Sequence, residues 1–277
     1  MDKPSILITG CSSGIGYDAA MTLHDRGWRV FASCRSESDC DFLRSKGLES
    51  FELDYASSKS IQSAVKHVYE LTGGTLDALF NNGAFAIPGR VEDLPRDALR
   101  SIFETNLFGQ FELINAVLPG MRQNNSGRII NNSSVLGMVA LPYRGAYNST
   151  KFAMEGLTDT FRLELHDTNI HISLIEPGPI GTKIRENSIP HFERWIDWQN
   201  SSAKYEYESQ LMPRLYQPSQ KKDRFELPCS AVTDKLIHAL EHRNPKPRYY
   251  VTTPTHFIGT LKRFLTTRLL DKVLLNS

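Results

Sequence analysis

The chain has 277 residues, 40% of them hydrophobic, enough for one large α/β domain or two smaller ones. Its 32 Lys and Arg stand against 31 Asp and Glu, a net charge of +1, which excludes the basic field of a nucleic-acid surface. Cys11, Cys34, Cys40 and Cys229 show neither CxxC nor metal-ligand spacing and read as free thiols of a reducing compartment.

The opening stretch MDKPSILITG turns apolar at once, so no signal peptide is expected. No run reaches the ~20 apolar residues of a membrane span, and a soluble cytoplasmic protein is the expectation. Short apolar, β-branched runs follow at Ser5–Thr9 (SILIT), Trp28–Ser33 (WRVFAS), Leu48–Asp54 (LESFELD), Leu76–Asn81 (LDALFN), Arg128–Ser133 (RIINNS) and His171–Glu176 (HISLIE). Between them Ile61, Ala64, Val65 and Val68 share one helical face, as do Leu157, Phe161 and Leu165. Strands buried on both faces read as continuous apolar runs, because helices cover both sides of a parallel sheet. The alternation predicts an α/β fold with a doubly wound, Rossmann-like parallel sheet. With no internal repeat or linker, it predicts a single domain over 1–277.

From Lys183 to Phe225 the alternation lapses into an aromatic, charged stretch too long for a plain connection. Phe192, Trp195, Trp198, Tyr205 and Tyr207 there predict a packed, partly helical lid: either a wall for an apolar substrate or a helix-packing face. A helix over Pro228–His242 and a strand at RYYVT complete the body. Residues 255–275 read as one amphipathic helix, with Phe257, Leu261, Phe264 and Leu265 set against Lys262, Arg263, Arg268 and Lys272. Such a helix lies on a membrane surface, covers the substrate cleft or packs in a dimer.

Between the first strand and first helix, ILITGCSSGIG places Gly10, Gly14 and Gly16 in a G-x3-G-x-G turn. A glycine turn opening a helix lets backbone N–H groups approach a pyrophosphate, which the helix N-terminus also attracts. With NNGA at Asn81–Ala84, NxxG at Asn106–Gly109, Ser133–Ser134, YNSTK at Tyr147–Lys151 and Pro177–Gly178, the chain resembles the short-chain dehydrogenase/reductase family. Six blocks stand in the family's order, over roughly residues 4–182. Within the family it is most similar to bacterial NADP-dependent aldehyde reductases and the hydroxysteroid and retinol dehydrogenases.

In a dinucleotide fold an acid at the end of the second strand binds the ribose 2′-hydroxyl of NAD. Here Cys34 takes the acid's place and Arg35 follows, which favours the 2′-phosphate of NADP(H), with Ser12 assisting. The resemblance implies that Ser13 and Ile15 join the cofactor turn. It implies that Asp54 accepts from the adenine amino group, and that Asn82, Gly83 and Ala84 line the adenine ribose. The family usually has Ala-Gly where this chain has Gly83-Ala84, which moves the position tolerant of positive φ by one. Pro177, Gly178, Ile180 and Thr182 are expected around the nicotinamide, though Pro and Gly also simply end strands.

Tyr147 and Lys151, at i and i+4, share a helix face. An ammonium beside a phenol favours the phenolate and depresses the tyrosine pKa, which would fit Tyr147 as the acid that protonates a carbonyl as hydride arrives. By family spacing Ser134 binds the substrate oxygen, with Ser133 the competing assignment. By resemblance Asn106 holds a water linking Lys151 to solvent; its other reading is a buried polar residue satisfied by backbone. The expected function is reduction of a hydrophobic aldehyde by NADPH. A hydroxysteroid or retinol dehydrogenase is the alternative within the class, and a non-catalytic NADPH sensor or a Rossmann-type methyltransferase the alternatives outside it. Family members oligomerise through the helices after Arg96 and Tyr147, so a homodimer or homotetramer is expected.

Overall fold

The computed structural model describes residues 3–217 and 225–275. Its strands are β1 (Ser5–Thr9), β2 (Arg29–Cys34), β3 (Glu49–Glu52), β4 (Ala78–Asn81), β5 (Gly127–Asn132), β6 (Ile170–Glu176) and β7 (Arg248–Tyr250). They form one sheet in the order β3-β2-β1-β4-β5-β6-β7, with every pairing parallel. The chain order reverses between β1 and β4, where a doubly wound sheet opens a crevice at the strands' carboxyl ends.

Helices α1 (Gly14–Asp25), α2 (Glu37–Ser45), α3 (Ser58–Thr72), α4 (Arg96–Phe103), α5 (Gly109–Gln123) and α6 (Gly145–Glu164) follow the strands. Strand β1 shows why both faces are covered. Ile6 and Ile8 pack with Ala19, Leu23, Val232 and Leu236, whereas Leu7 points the other way onto Ile61, Val65, Leu113 and Val117. Each such side chain contributes about 1.5–3 kcal/mol by leaving water. The expected face of α3 is buried at Ile61, Ala64, Val65 and Val68, and its ends are set by the Ser57 cap on Ser60 N and left-handed Gly73.

Helix α6 meets its expected face only in part. Leu165 is buried and Phe161 packs on the same core, but Leu157 is exposed. The inward face further up the helix is Tyr147, Asn148, Thr150, Lys151, Met154, Glu155 and Thr158. Polar side chains claim the inner face because they meet polar strand ends there, which turns Leu157 and Leu163 outward.

The stretch after β6 folds as α7 (Ile184–Trp195), a 3-10 turn (Trp198–Asn200), α8 (Lys204–Glu206), a π turn (Tyr207–Leu211) and α9 (Met212–Tyr216). Residues 218–224 of the expected lid lie outside the described residues. Phe192 and Tyr207 are core residues, packed with Phe85, Ile87, Ala98, Ile102 and Tyr147. The Tyr207 hydroxyl donates to Asp93 Oδ2 (2.7 Å) and accepts from Arg90 N (2.8 Å). Tyr205, by contrast, is exposed.

Helix α10 (Ser230–Glu241) backs α1. The single C-terminal helix expected over 255–275 is instead two, α11 (Thr253–Phe264) and α12 (Thr267–Leu275). Leu265 takes an extended backbone at ψ 143°, and the adjoining Thr266–Thr267 pair, β-branched and weak in helix propensity, does not carry the first helix through. Phe257, Phe264 and Leu269 are exposed. No helix among the described residues is long and apolar enough to cross a membrane.

Tyr207→Phe leaves the Arg90 N–H without its acceptor and Asp93 Oδ2 with the Ser201 hydroxyl alone. It should lower stability by about 1–3 kcal/mol, read as the shift in urea midpoint.

Candidate active site

The glycine turn is a close-packed device. Gly10 and Gly14 have φ of +68° and +61°, in the left-handed region. A Cβ on Gly10 would stand 2.7 Å from Gly83 Cα, and one on Gly16 would stand 2.3 Å from the Gly10 carbonyl oxygen. The turn therefore lies directly on the NNGA segment. Thr9 Oγ1 accepts from Asn82 N (2.9 Å) and Gly83 N (3.1 Å), and Asn82 Nδ2 donates to the Thr9 (2.9 Å) and Gly10 (3.3 Å) carbonyls. The Asn82 side chain is committed to this clamp, so its share in ribose contact falls to the backbone. Gly83 lacks a positive φ, and a Cβ there would meet Tyr55 at 3.3 Å. Reversing the usual Ala-Gly order thus changes a close approach and not a backbone conformation. Ala84 follows, half-buried, ahead of the buried Phe85.

Beyond β2 a cleft of about 500 Å³ is lined by Ser12, Ser13, Arg35 and Asp39, and closed from α7 and its approach by Lys183, Asn187, Pro190 and His191. Asp39 is turned to the Ser36 hydroxyl at 2.6 Å. Among the described residues no carboxylate pairs with the Arg35 guanidinium. His191 stacks on Phe85 with ring centroids 4.1 Å apart, and burial, Arg35 and Arg194 hold its imidazole below the ordinary range. Lys183 had no sequence signal beyond standing next to Thr182. Ile15, on α1, packs against the core beside β1.

Asp54 and the NNGA segment lie outside that lining. Asp54 Oδ1 accepts from Ala56 N at 3.0 Å, fixing the turn into α3. The Pro177 carbonyl accepts from Val135 N at 2.8 Å, which ties the end of β6 to the turn after Ser134. A Cβ on Gly178 would stand 2.1 Å from Thr252 Oγ1, so packing alone demands glycine there. Ile180 bridges to Leu227, and the Thr182 methyl lies 3.4 Å from where a Gly14 Cβ would sit. The structure thus brings Thr182 to the glycine turn.

Helix α6 begins after Tyr143, whose φ of +63° is rare outside glycine. Its carbonyl accepts from Gly89 N at 3.0 Å and its hydroxyl bonds Gln210 at 3.2 Å, and together these hold the strained turn. Lys151 is 1% exposed; its Nζ donates to the Asn132 carbonyl at 2.6 Å and lies 5.5 Å from the Tyr147 ring centre. The two serines separate cleanly. Ser133 Oγ donates to Glu155 Oε1 at 2.5 Å, while Ser134 faces the Tyr147 phenol.

The electrostatics correct the expectation for Tyr147. Burial pushes its phenol up to about 12, and Ser134 and Arg144 only partly offset this. Burial also drives Lys151 down to about 7, with Glu155 opposing the fall. Desolvation dominates at Tyr147, and the charge that opposes it comes from Arg144 and not from Lys151. Arg144, one residue before α6, is the cation acting on Tyr147 that the sequence reading missed. Asn106 sits in a π turn (Glu104–Phe108) and clamps Phe85, its Oδ1 accepting from Phe85 N (3.1 Å) and its Nδ2 donating to Phe85 O (2.8 Å). Its side chain is therefore satisfied by backbone, and any water that Asn106 holds must use its main chain.

A model described as short chain dehydrogenase matches residues 4–192. An uncharacterized oxidoreductase of Escherichia coli, YbbO, is 37% identical over 98% of this chain and 94% of its own length. Human 17-beta-hydroxysteroid dehydrogenase type 1 is 30% identical over 91% of this chain and 78% of its own. A short chain dehydrogenase/reductase from Burkholderia phymatum, in complex with NAD, superposes with a TM-score of 0.77 at 23% identity, covering 94% of this chain and 92% of that one. The left-handed glycine turn at the head of α1 and the polar cleft beside it fit a nicotinamide dinucleotide.

With a folded pKa near 7 against an ordinary 10.5, Lys151 loses its proton before the unfolded chain does. The unfolded state then binds more protons, so this term raises stability as pH climbs from 7. Wild type should gain on Lys151→Met between about pH 7 and 9, by at most about 1.4 kcal/mol per pH unit. Parallel urea curves across that window would contradict the burial effect.

Proposed function

The chain belongs to the short-chain dehydrogenase/reductase family, and on that footing we propose that it is an NADPH-dependent carbonyl reductase. The observation that carries the reaction is Ser134, Tyr147 and Lys151 meeting at the end of β5. Tyr147 keeps its proton at neutral pH because burial holds its phenol near 12, so it is a donor in waiting. The Ser134 hydroxyl beside it donates to a carbonyl oxygen as negative charge develops there. Lys151, fixed on the Asn132 carbonyl, would hold the ribose hydroxyls, and Asn106 sets the floor by clamping Phe85.

Bound NADPH supplies the hydride. Arg35, unpaired among the described residues and flanked by Ser12 and Ser13, supports recognition of the 2′-phosphate. Asp54, Gly83 and Ala84 would hold the adenosine half, and Pro177, Gly178, Ile180 and Thr182 the nicotinamide. The apolar surroundings of Tyr147, which include Leu136, Tyr143 and Ile189, support a hydrophobic aldehyde or its alcohol as substrate. A hydroxysteroid is the second reading, favoured by the similarity to the human hydroxysteroid enzyme across 91% of this chain. Exposed Phe108, Phe152, Leu157 and Leu163 on and beside α5 and α6 support a homodimer or homotetramer. We place the enzyme in the cytoplasm on its free cysteines.

Arg35→Ala should weaken NADPH binding about tenfold or more by fluorescence titration and leave NADH nearly unchanged; equal losses would contradict the 2′-phosphate reading. Tyr147→Phe should keep NADPH affinity while kcat on an aldehyde panel falls by a factor on the order of 10² to 10⁴. Normal turnover in that variant would remove Tyr147 as the acid.

A further inference from the structure

Three successive residues at the end of β5 each meet one residue on a single face of α6. The Asn132 carbonyl takes Lys151, the Ser133 hydroxyl takes Glu155 and Ser134 faces Tyr147. Tyr147, Lys151 and Glu155 stand at i, i+4 and i+8, one above another on the helix. Glu155 is 8% exposed, a place where a carboxylate is costly unless it is held. Its second oxygen accepts from Arg248 Nη2 at 3.0 Å. The turn after Ser134 rests on it: a Cβ on Gly137 would lie 2.8 Å from Ser133 Oγ and 3.0 Å from Glu155 Cγ.

From this geometry we infer that Glu155 is a positioning residue of the reacting centre, holding Ser133 so that Ser134 faces Tyr147 and setting a negative charge one helical turn from Lys151. The inference rests on Ser134, Tyr147 and Lys151 forming that centre.

The groups facing Glu155 decide how much of its charge reaches Lys151. Strand β6 contributes Glu176, which is 0% exposed, and whose Oε2 has no hydrogen-bond partner. Burial and the neighbouring Glu155 raise the Glu176 carboxyl well above the ordinary range, so it is the member of the pair that holds a proton. Strand β7 contributes Arg248, bonded also to Glu176 (3.2 Å) and Asp159 (2.7 Å), and Tyr250, which faces Arg263 of α11. On α6, Asp159 is further paired with Arg162. Burial raises the Glu155 carboxyl as well, but Ser133 and Arg248 oppose that rise. One guanidinium thus faces two carboxylates and a neutral acid, and its attraction is divided among them. Glu155 keeps negative charge for the ammonium next to it.

The test needs no substrate, so it stands apart from the fate of the reductase reading, which Tyr147→Phe decides. Lysine Nζ titration by NMR on the full chain, with the Lys151 signal assigned by its loss in Lys151→Met, compares wild type with Glu155→Gln. The Lys151 midpoint should fall by about one pH unit in Glu155→Gln, the size of effect an opposite charge a few ångströms away exerts. In Glu176→Gln it should hardly move, because that acid already carries a proton. An unchanged midpoint in folded Glu155→Gln would overturn the inference. Should that variant fail to fold, the reciprocal measurement serves: the Glu155 carboxyl titration, followed by its ¹³C shift, should move upward in Lys151→Met. A Glu155 titration indifferent to Lys151 would overturn the inference equally.

Discussion

An amide-to-amide bridge joins the two halves of this protein. Asn132 Nδ2, at the end of β5, donates to Asn82 Oδ1 at 2.9 Å, just past β4, and Asn82 in turn donates to the carbonyls of Thr9 and Gly10 after β1. The carbonyl of that same Asn132 receives Lys151. A lysine with almost no water around it is thereby connected, through Asn132 and Asn82, to the glycine turn at Gly10, far off in sequence but close by at the strand ends. A second layer runs beneath: Tyr55 donates to Asn81 Oδ1, Asn81 Nδ2 to Asn131 Oδ1, and Asn131 Nδ2 to Thr158. Buried polar networks rigidify through their satisfied members. Among the side-chain amides of Asn81, Asn82, Asn131 and Asn132, Asn132 Oδ1 alone is buried without a hydrogen-bond partner.

The network lies where the sheet changes character. Along the strands apolar side chains face helices on both sides, but at the carboxyl ends the parallel ladder stops and leaves backbone groups to be paired by side chains. Paired asparagines at 81–82 and 131–132 do that pairing. They also explain α6, whose inward face must match them and is therefore polar. The helix then has to place its apolar surplus outward, at Phe152, Leu157 and Leu163. A single requirement at the strand ends thus shapes the site inside and a sticky surface outside.

Much of the frame is legible in the residues, because period and punctuation are local. The run Ser5–Thr9 is a strand with the same bounds in the structure, and Ile61, Ala64, Val65 and Val68 form the inner face of α3. The ordered glycine, asparagine and Tyr–Lys blocks also converge on one end of the sheet. What sequence spacing could not disclose is direction and company. Nothing local says that Asn82 and Asn106 point their amides into backbone clamps, or that burial outweighs charge at Tyr147. Nor does aromatic content separate Phe192 and Tyr207, which are core, from exposed Tyr205. The break at Leu265 escaped because amphipathic periodicity continues across it while the backbone does not.

The lid aromatics carry a consequence for selectivity. With Tyr207 anchored to Asp93 and Arg90 and Phe192 packed beneath it, neither can swing to suit a substrate. Tyr207 is the floor on which α7 is mounted through its own Phe192, and α7 in turn carries Asn187 and His191 to the cleft that holds Arg35. One helix therefore touches the region proposed for the cofactor phosphate through Asn187 and the surroundings of Tyr147 through Ile189. Its seat on a rigid floor couples the two: a change that tilts α7 to widen one must also move the other.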